Sequence, residues 1–160
     1  MSMFKHIMVP TDFAGPSERA LDLALKLARA LDARVLLLHI ASLPTMYYSF
    51  YAEGLAWPID ELKNQARSAL DRALDSARAR YPLVDSQLVA GPVWQSILET
   101  GEARGADLIL MGTHGRHGLA RATFGSVAEK VVRHATIPVM TIGMEAEANR
   151  IHPPDPRSDE

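Results

Sequence analysis

The sequence contains no cysteine, and it has no apolar run long enough to cross a membrane as a helix. Without thiols, the chain has no disulfides, thiolate catalysis, zinc–thiolate sites or iron–sulfur clusters. Its apolar runs are far shorter than the ~20 residues that a membrane-spanning helix needs. The first ten residues, MSMFKHIMVP, lack the apolar segment of a secretory signal. We therefore expect a cytoplasmic protein without a membrane partner.

The chain also lacks a large excess of positive or negative charge. It has 17 Lys and Arg and 19 Asp and Glu, for a net charge of -2. A chain without an excess of basic residues has no electrostatic footprint for nucleic acid, so we expect none as a partner. The 160 residues are 48% hydrophobic. This length and composition predict one globular domain with a sizeable core.

Short apolar runs alternate with amphipathic segments along the chain. Such alternation predicts an α/β fold, a three-layer sandwich in which a five-stranded parallel sheet carries helices on both faces. Ligands of such sheets bind at the carboxyl ends of the strands, here where strands one, two and four converge. The predicted strands are Lys5 to Val9, Arg34 to Ile40, Val84 to Ala90, Asp107 to Met111 and Val139 to Ile142, and the predicted helices are Pro16 to Leu31, Ile59 to Arg80, Val93 to Arg104 and one that begins at Gly125-Ser126.

Two segments fall outside this alternation. The connection from Ser42 to Pro58 holds three tyrosines, a phenylalanine and a tryptophan, and it is predicted to be a loop. Such a loop could close over a ligand, or it could pack its aromatic rings on the sheet edge or on a second subunit. The segment from residue 145 to residue 160 is polar and rich in proline, so we expect the domain to span residues 1–144 and to end in a disordered tail.

A glycine-rich stretch follows the fourth predicted strand. Gly112 and Gly115 are separated by two residues, and Gly125-Ser126 follows after nine more. Glycines at the end of a buried strand let backbone N–H groups approach a phosphate, and a helix N-terminus adds partial positive charge. The pattern is neither a Walker A loop nor a dinucleotide fingerprint. Either an anion site or a set of turns explains these glycines.

Three polar residues near the predicted strand ends each allow two interpretations. Asp12 could belong to a binding site or could serve as a turn or cap residue. His39 could contact a ligand or could be a half-buried strand residue. Ser126 could bind phosphate, but with Glu129 it also matches a capping box, which would engage its hydroxyl.

Metal binding and catalysis have weak support in the sequence. His114 and His117 lack a nearby carboxylate or thiolate, so a Mg²⁺ ion would more naturally arrive on nucleotide phosphates near Asp12. The chain has no G-x-S-x-G motif, and no pair of carboxylates lies at the predicted rim. We therefore predict no catalytic residues.

Gly112, Gly115, Gly125 and Ser126 together match G-x2-G-x9-G-[ST], the signature of a known family. Four further segments match the same family: VPTDF at Val9 to Phe13, LLLHI at Leu36 to Ile40, ADLILMGTHGRHGL and GSVAEKVVRHATIPVMTI. On these matches the chain resembles the universal stress protein family over residues 3–143. The resemblance implies a Rossmann-like fold of the adenine nucleotide alpha hydrolase type. It also implies a homodimer that pairs through the last strand, formed by Val139, Met140, Thr141 and Ile142.

The full signature is similar to that of the family branch that binds ATP, whereas UspA-type members lack it. The resemblance therefore implies an ATP-binding stress or signalling module, with a structural dimer that binds no ATP and a slow ATP hydrolase as alternatives. Ala14 departs from the family, which often has serine there. The resemblance places Pro10, Thr11 and Asp12 beside adenosine, Ile40 at adenine through its backbone, Gly112, Thr113, His114, Gly115, Arg116, His117 and Gly118 around ribose and phosphates, and Gly125, Ser126 and Val127 at the phosphates. Met111 is also expected among the residues that bind the nucleotide.

Overall fold

The computed structural model describes residues 3–54, 59–113 and 124–143, and these form a parallel sheet between helices. The strand order is β3-β2-β1-β4-β5, and every neighbouring pair is parallel. The predicted α/β class and the five-stranded parallel sheet are thereby confirmed. The strands are β1 His6–Pro10, β2 Arg34–Ala41, β3 Val84–Ala90, β4 Leu108–Gly112 and β5 Val139–Ile142, and the helices are α1 Gly15–Leu31, α2 Thr45–Ala52, α3 Ile59–Arg80, α4 Val93–Ala103 and α5 Ser126–His134.

The core lies on both faces of the sheet, because side chains of a strand alternate between its faces. On one face, Val9 and Leu37 pack in a cluster that includes the small residues of α1 and Leu70 of α3. On the other face, Met8 and Leu38 belong to a cluster with residues of α4 and α5. None of the described helices is both long and apolar enough to cross a membrane.

One prediction of local structure was wrong, because the aromatic connection contains a helix. Residues Thr45–Ala52 form α2, which begins directly after Pro44. Tyr47 and Tyr51 lie one turn apart with ring centroids 6.0 Å from each other, a spacing at which side chains stabilise a helix. The sequence concealed this helix because its apolar residues do not recur on a single face. Residues 55–58 lie outside the described part of the chain, so the two hypotheses about this segment stay open.

The buried Tyr81, just after α3, anchors that helix to the turn between α1 and β2. Its hydroxyl donates to the carbonyl of Ala33 at 2.7 Å and lies 3.3 Å from the carbonyl of Ala28. Both carbonyls belong to the turn in which Asp32 adopts a left-handed conformation, with φ of 53°. Tyr81 thus helps to set the entry of β2, the strand that reaches the candidate site at its other end.

We expect Tyr81→Phe to lower the free energy of unfolding by about 1–2 kcal/mol, because it leaves a buried carbonyl without a donor. The matched control is Tyr51→Phe, whose side chain is 72% exposed and should change the stability by less than ~0.5 kcal/mol. Urea denaturation followed by circular dichroism measures both. Equal stability of the two variants would contradict this role of the Tyr81 hydroxyl.

Candidate functional site

A cavity of about 460 Å³ opens at the carboxyl edge of the sheet, a size within the usual range of small-molecule sites. It is bounded by the ends of β1, β2 and β4 and by the first turns of α1, α4 and α5. The structure brings these predicted site residues to its wall: Pro10, Thr11, Asp12, Ile40, Met111, Gly112, Thr113, Gly125, Ser126 and Val127. The other predicted residues, His114, Gly115, Arg116, His117 and Gly118, lie outside the described part of the chain.

The cavity also includes residues that the sequence did not indicate as part of a site. Val93 and Ile97 belong to the first turns of α4, which follows β3 rather than one of the three converging strands. Their spacing of four residues was a signal only for a buried helix face. Ser17 in the first turn of α1 and Ser42 just after β2 add hydroxyls, and no sequence pattern distinguished them from ordinary cap and loop serines.

Asp12 is a turn residue, as one of its two interpretations predicted, and it also lines the cavity. One carboxylate oxygen, Oδ1, accepts the Ala14 N–H at 3.0 Å, which makes a tight turn before α1. The Ser17 hydroxyl lies 2.9 Å from the same oxygen and also 2.9 Å from the Ala14 carbonyl, so the two oxygens share one donor. The Ser17 side chain, within a residue only 5% exposed, also lies 3.1 Å from the Thr11 hydroxyl. Ser17 therefore supplies a hydroxyl to Asp12 although Ala14 carries none.

Gly112 is required by packing at the end of β4. A Cβ at this position would lie 2.8 Å from both the carbonyl carbon and the Cβ of Pro16, distances that real Cβ atoms do not show. The residue therefore lets the first turn of α1 sit directly against the strand end. The sequence allowed two roles for this glycine, in a phosphate site or in a turn. The structure adds a third reason for a glycine here, which is the close approach of α1.

The capping box predicted for α5 is wrong. Gly125 is the N-cap of the helix, Ser126 is its first residue, and no side chain caps it. The reason is that the Gly125 carbonyl accepts the first bond of the helix, from the Glu129 N–H, so the helix starts one residue too early for Ser126 to be its N-cap. The Gly125 N–H donates to the Thr113 carbonyl at 2.6 Å. The Glu129 carboxylate instead accepts from Arg133 at 2.7 Å. The Ser126 hydroxyl is thus not engaged in a cap, and it lies at the cavity wall beside the helix N-terminus.

The first turn of α5 presents backbone donors to the cavity. The N–H groups of Ser126, Val127 and Ala128 have no acceptor within the helix, as in any first turn. All three residues line the cavity. The helix dipole adds partial positive charge at this end, so the turn favours an anionic group.

The opposite wall of the cavity is the backbone edge of β2 at Ile40. The Leu38 carbonyl accepts the Thr11 N–H at 2.8 Å, so it faces β1, whereas the Ala41 carbonyl accepts the Gly91 N–H and faces β3. Backbone groups of a parallel strand alternate in this way, so the N–H and carbonyl of Ile40 face the β1 side. The register between β1 and β2 ends at Pro10 and Leu38, two residues earlier. Ile40 therefore offers a donor and an acceptor side by side.

His39 is half-buried, as the more ordinary of its two interpretations predicted, and it also lines the cavity. Its Nδ1 lies 2.7 Å from the Thr11 carbonyl oxygen, and its ring lies 4.5 Å from the ring of Phe13. Within the described residues, no group of three or more His, Asp or Glu could hold a metal ion. The cavity thus combines an apolar floor, a strand edge and an anion-favouring helix end, which suits a ligand with a flat polar ring and a negative group.

We expect Gly112→Ala to lower the free energy of unfolding by about 1–3 kcal/mol, because the added methyl group overlaps the backbone of Pro16. Gly15→Ala is the control, since a Cβ there meets nothing within 4 Å. Thermal unfolding of both variants measures the difference. A Gly112→Ala variant as stable as Gly15→Ala would show that α1 does not need this close approach.

Comparison with known proteins agrees with the fold and with the family that the sequence resembles. The model of the universal stress protein family matches residues 3–143. Universal stress protein MJ0531 of Methanocaldococcus jannaschii is 32% identical over 143 residues, which cover 88% of this chain and 83% of that protein.

Two solved structures illustrate the similarity of fold. Protein MJ0577 of the same organism superposes with a TM-score of 0.74 at 26% identity, covering 89% of this chain and 98% of that one. A universal stress protein from Archaeoglobus fulgidus in complex with dAMP superposes with a TM-score of 0.64 at 24% identity, covering 89% and 99%. With the family model matching most of its length, the chain belongs to the universal stress protein family.

Proposed function

We propose that the cavity binds an adenine nucleotide, with ATP and Mg²⁺ as the physiological ligand, and that the protein is a cytoplasmic stress-response or signalling module. The observation that carries this proposal is the presence of two complementary walls in one cavity. The Ile40 strand edge suits a purine base, and the first turn of α5 suits phosphates. Nucleotide occupancy would then change the surface that partner proteins contact.

The base would lie against the open edge of β2. Adenine carries a ring nitrogen that accepts and an adjacent amino group that donates, which complements the N–H and carbonyl of one residue. The apolar side chains of Val93, Ile97 and Met111 line the same cavity and would pack against the ring. Pro10 and Thr11 would lie beside the ribose.

The phosphates would lie at the start of α5. The N–H groups of Ser126 and Val127 and the Ser126 hydroxyl provide donors there, and Gly125 leaves this wall open. We further propose that Gly112 to Gly118 wrap the ribose and phosphates, with Arg116 supplying a positive charge. A Mg²⁺ ion would be carried by the phosphates, and Asp12 is the carboxylate on the described wall that could approach it.

A relative with the same fold supports an adenylate as the ligand. The Archaeoglobus fulgidus protein was solved with dAMP, whose base and phosphate match the two walls described above. Because that protein shares 24% identity with this chain, its ligand supports the class of molecule and not the number of phosphates.

We propose binding rather than turnover as the main role of the site. One carboxylate oxygen of Asp12 is already engaged by Ala14 and Ser17, which makes Asp12 a poor general base. A slow hydrolase is the alternative, and it predicts phosphate release above background from the purified protein.

We also propose a homodimer through β5. This strand, Val139–Ile142, is an edge strand paired only with β4 in the described sheet, and Met140 on it is 38% exposed. An unpaired edge with an exposed apolar residue can pair with a second copy of itself. A structural dimer without a nucleotide is the competing function, and it would keep this interface while leaving the cavity empty.

We expect purified protein to release an adenine nucleotide on denaturation, which chromatography would identify. Gly125→Val should reduce ATP affinity at least ~100-fold, because a branched side chain would narrow the phosphate wall. Gly115→Arg should act in the same direction. Isothermal titration measures affinity, and circular dichroism checks the fold. Unchanged ATP affinity in folded Gly125→Val protein would place the nucleotide elsewhere, and absence of any bound or titrated nucleotide would favour the structural dimer.

We expect Ser126→Ala to lower ATP affinity by about tenfold, the effect of one hydrogen bond to a charged group, without loss of stability. The stability should not change because this hydroxyl does not cap α5. Ser68→Ala, on the exposed side of α3, is the control. Adenosine should bind Ser126→Ala and the parent equally. A fall in stability without a change in ATP affinity would restore the capping role instead.

A further inference from the structure

We propose that His39 is a positioning residue that keeps the backbone edge of Ile40 open for the ligand. The inference rests on the proposed function for its ligand, but its structural part is independent of any nucleotide. The histidine would act by holding the Thr11 carbonyl away from the Ile40 N–H. It would thereby set the length of the β1–β2 ladder, and so the boundary of the cavity.

The hydrogen-bond pattern of the ladder identifies the Ile40 N–H and the Thr11 carbonyl as the groups that its next bond would join. The Arg34 N–H donates to the Lys5 carbonyl at one end, and the Thr11 N–H donates to the Leu38 carbonyl at the other. Bonds between parallel strands are evenly spaced, so the next one would run from the Ile40 N–H to the Thr11 carbonyl. Among the described residues that bond is absent, and the pairing ends at Pro10.

The Thr11 carbonyl is engaged by the histidine ring instead. Because a carbonyl oxygen can only accept, Nδ1 of His39 must carry the proton in their 2.7 Å contact. Side chains stand roughly perpendicular to a sheet, so this bond turns the Thr11 oxygen out of the plane of the ladder. A carbonyl turned toward the ring is poorly aligned for the Ile40 N–H, which lies in that plane.

The chain after Thr11 is shaped to hold this arrangement. Phe13 has a φ of 60°, which is strained for a residue with a side chain, and its ring packs on His39 at 4.5 Å. Its N–H donates to the Thr11 hydroxyl at 3.0 Å, which closes a tight turn. The turn and the ring contact together hold His39 and Thr11 in register. This turn costs backbone energy, and it is the kind of strain found at binding sites.

Without the His39 donor, the ladder should extend by one bond. The Thr11 carbonyl would then accept the Ile40 N–H, and the donor proposed for the base would be lost. The phosphate wall at α5 would be unaffected, since it belongs to another part of the cavity. His39 is thus expected to control recognition of the base and not of the phosphates.

The test compares His39→Leu, which removes the donor, with His39→Asn, whose side-chain N–H can reach the same position. In ligand-free protein we expect hydrogen exchange of the Ile40 amide, followed by NMR, to slow at least ~10-fold in His39→Leu and to stay unchanged in His39→Asn. We expect ATP affinity to fall about tenfold in His39→Leu and to recover in His39→Asn, whereas tripolyphosphate affinity stays constant. His134→Leu, at an exposed helix end, controls for loss of a histidine.

The outcomes separate this inference from the proposed function. If ATP binds the parent protein, and His39→Leu changes neither the Ile40 exchange nor the ATP affinity, the positioning role is overturned while the function stands. If no adenine nucleotide binds the parent, the proposed function falls, and the Ile40 exchange alone decides whether His39 opens the strand edge. Equal losses of ATP and tripolyphosphate affinity would indicate general damage and overturn the role in base recognition. If His39→Leu does not fold, His39→Ala replaces it in the same comparison.

Discussion

The hydrogen bond from the Thr11 N–H to the Leu38 carbonyl is the last of the β1–β2 ladder, and the cavity begins beyond it. Up to this bond, β1 is a buried central strand whose backbone groups are satisfied by its neighbours. Beyond it, the chain turns away at Asp12 and exposes the edge of β2. A parallel sheet always provides a crevice at such an edge. In this protein β1 ends at Pro10, whereas β2 continues to Ala41. One side of the crevice is therefore polar, because it is formed by backbone groups of β2 that β1 no longer covers.

The opposite side of the cavity depends on two close contacts, of which the first needs a glycine. Pro16 approaches Gly112 so closely that no side chain fits between them, which places the start of α1 over the end of β4. The Gly125 N–H donates to the Thr113 carbonyl, which places the start of α5 beside the same strand end. The two helix starts and the strand end thus form one rim. One glycine of the family signature, Gly112, is therefore required by packing alone, whatever the cavity binds.

The sequence predicted the elements better than it predicted the roles of single residues. Alternating apolar runs and helical stripes sufficed for the sheet, because burial dictates both patterns. Those patterns contain no information about which of two donors a carbonyl accepts, so the contact between His39 and Thr11 could not be foreseen. The helix α2 was missed because its aromatic residues follow no single face. Val93 and Ile97 were predicted only as apolar positions of a helix, and the sequence could not show that a cavity opens beside them.

Ser126 shows how a one-residue shift in a helix start changes the chemistry of a site. With Ser126 as N-cap, its hydroxyl would bond to the helix, and Gly125 would be the residue with a free N–H. With Gly125 as N-cap, the Gly125 N–H is engaged by Thr113, and the hydroxyl of Ser126 faces the cavity wall together with the first-turn donors. Both arrangements satisfy the same G-[ST] motif. The structure has the second arrangement, because the first helical bond runs to the Gly125 carbonyl, and this arrangement leaves the Ser126 hydroxyl outside the cap.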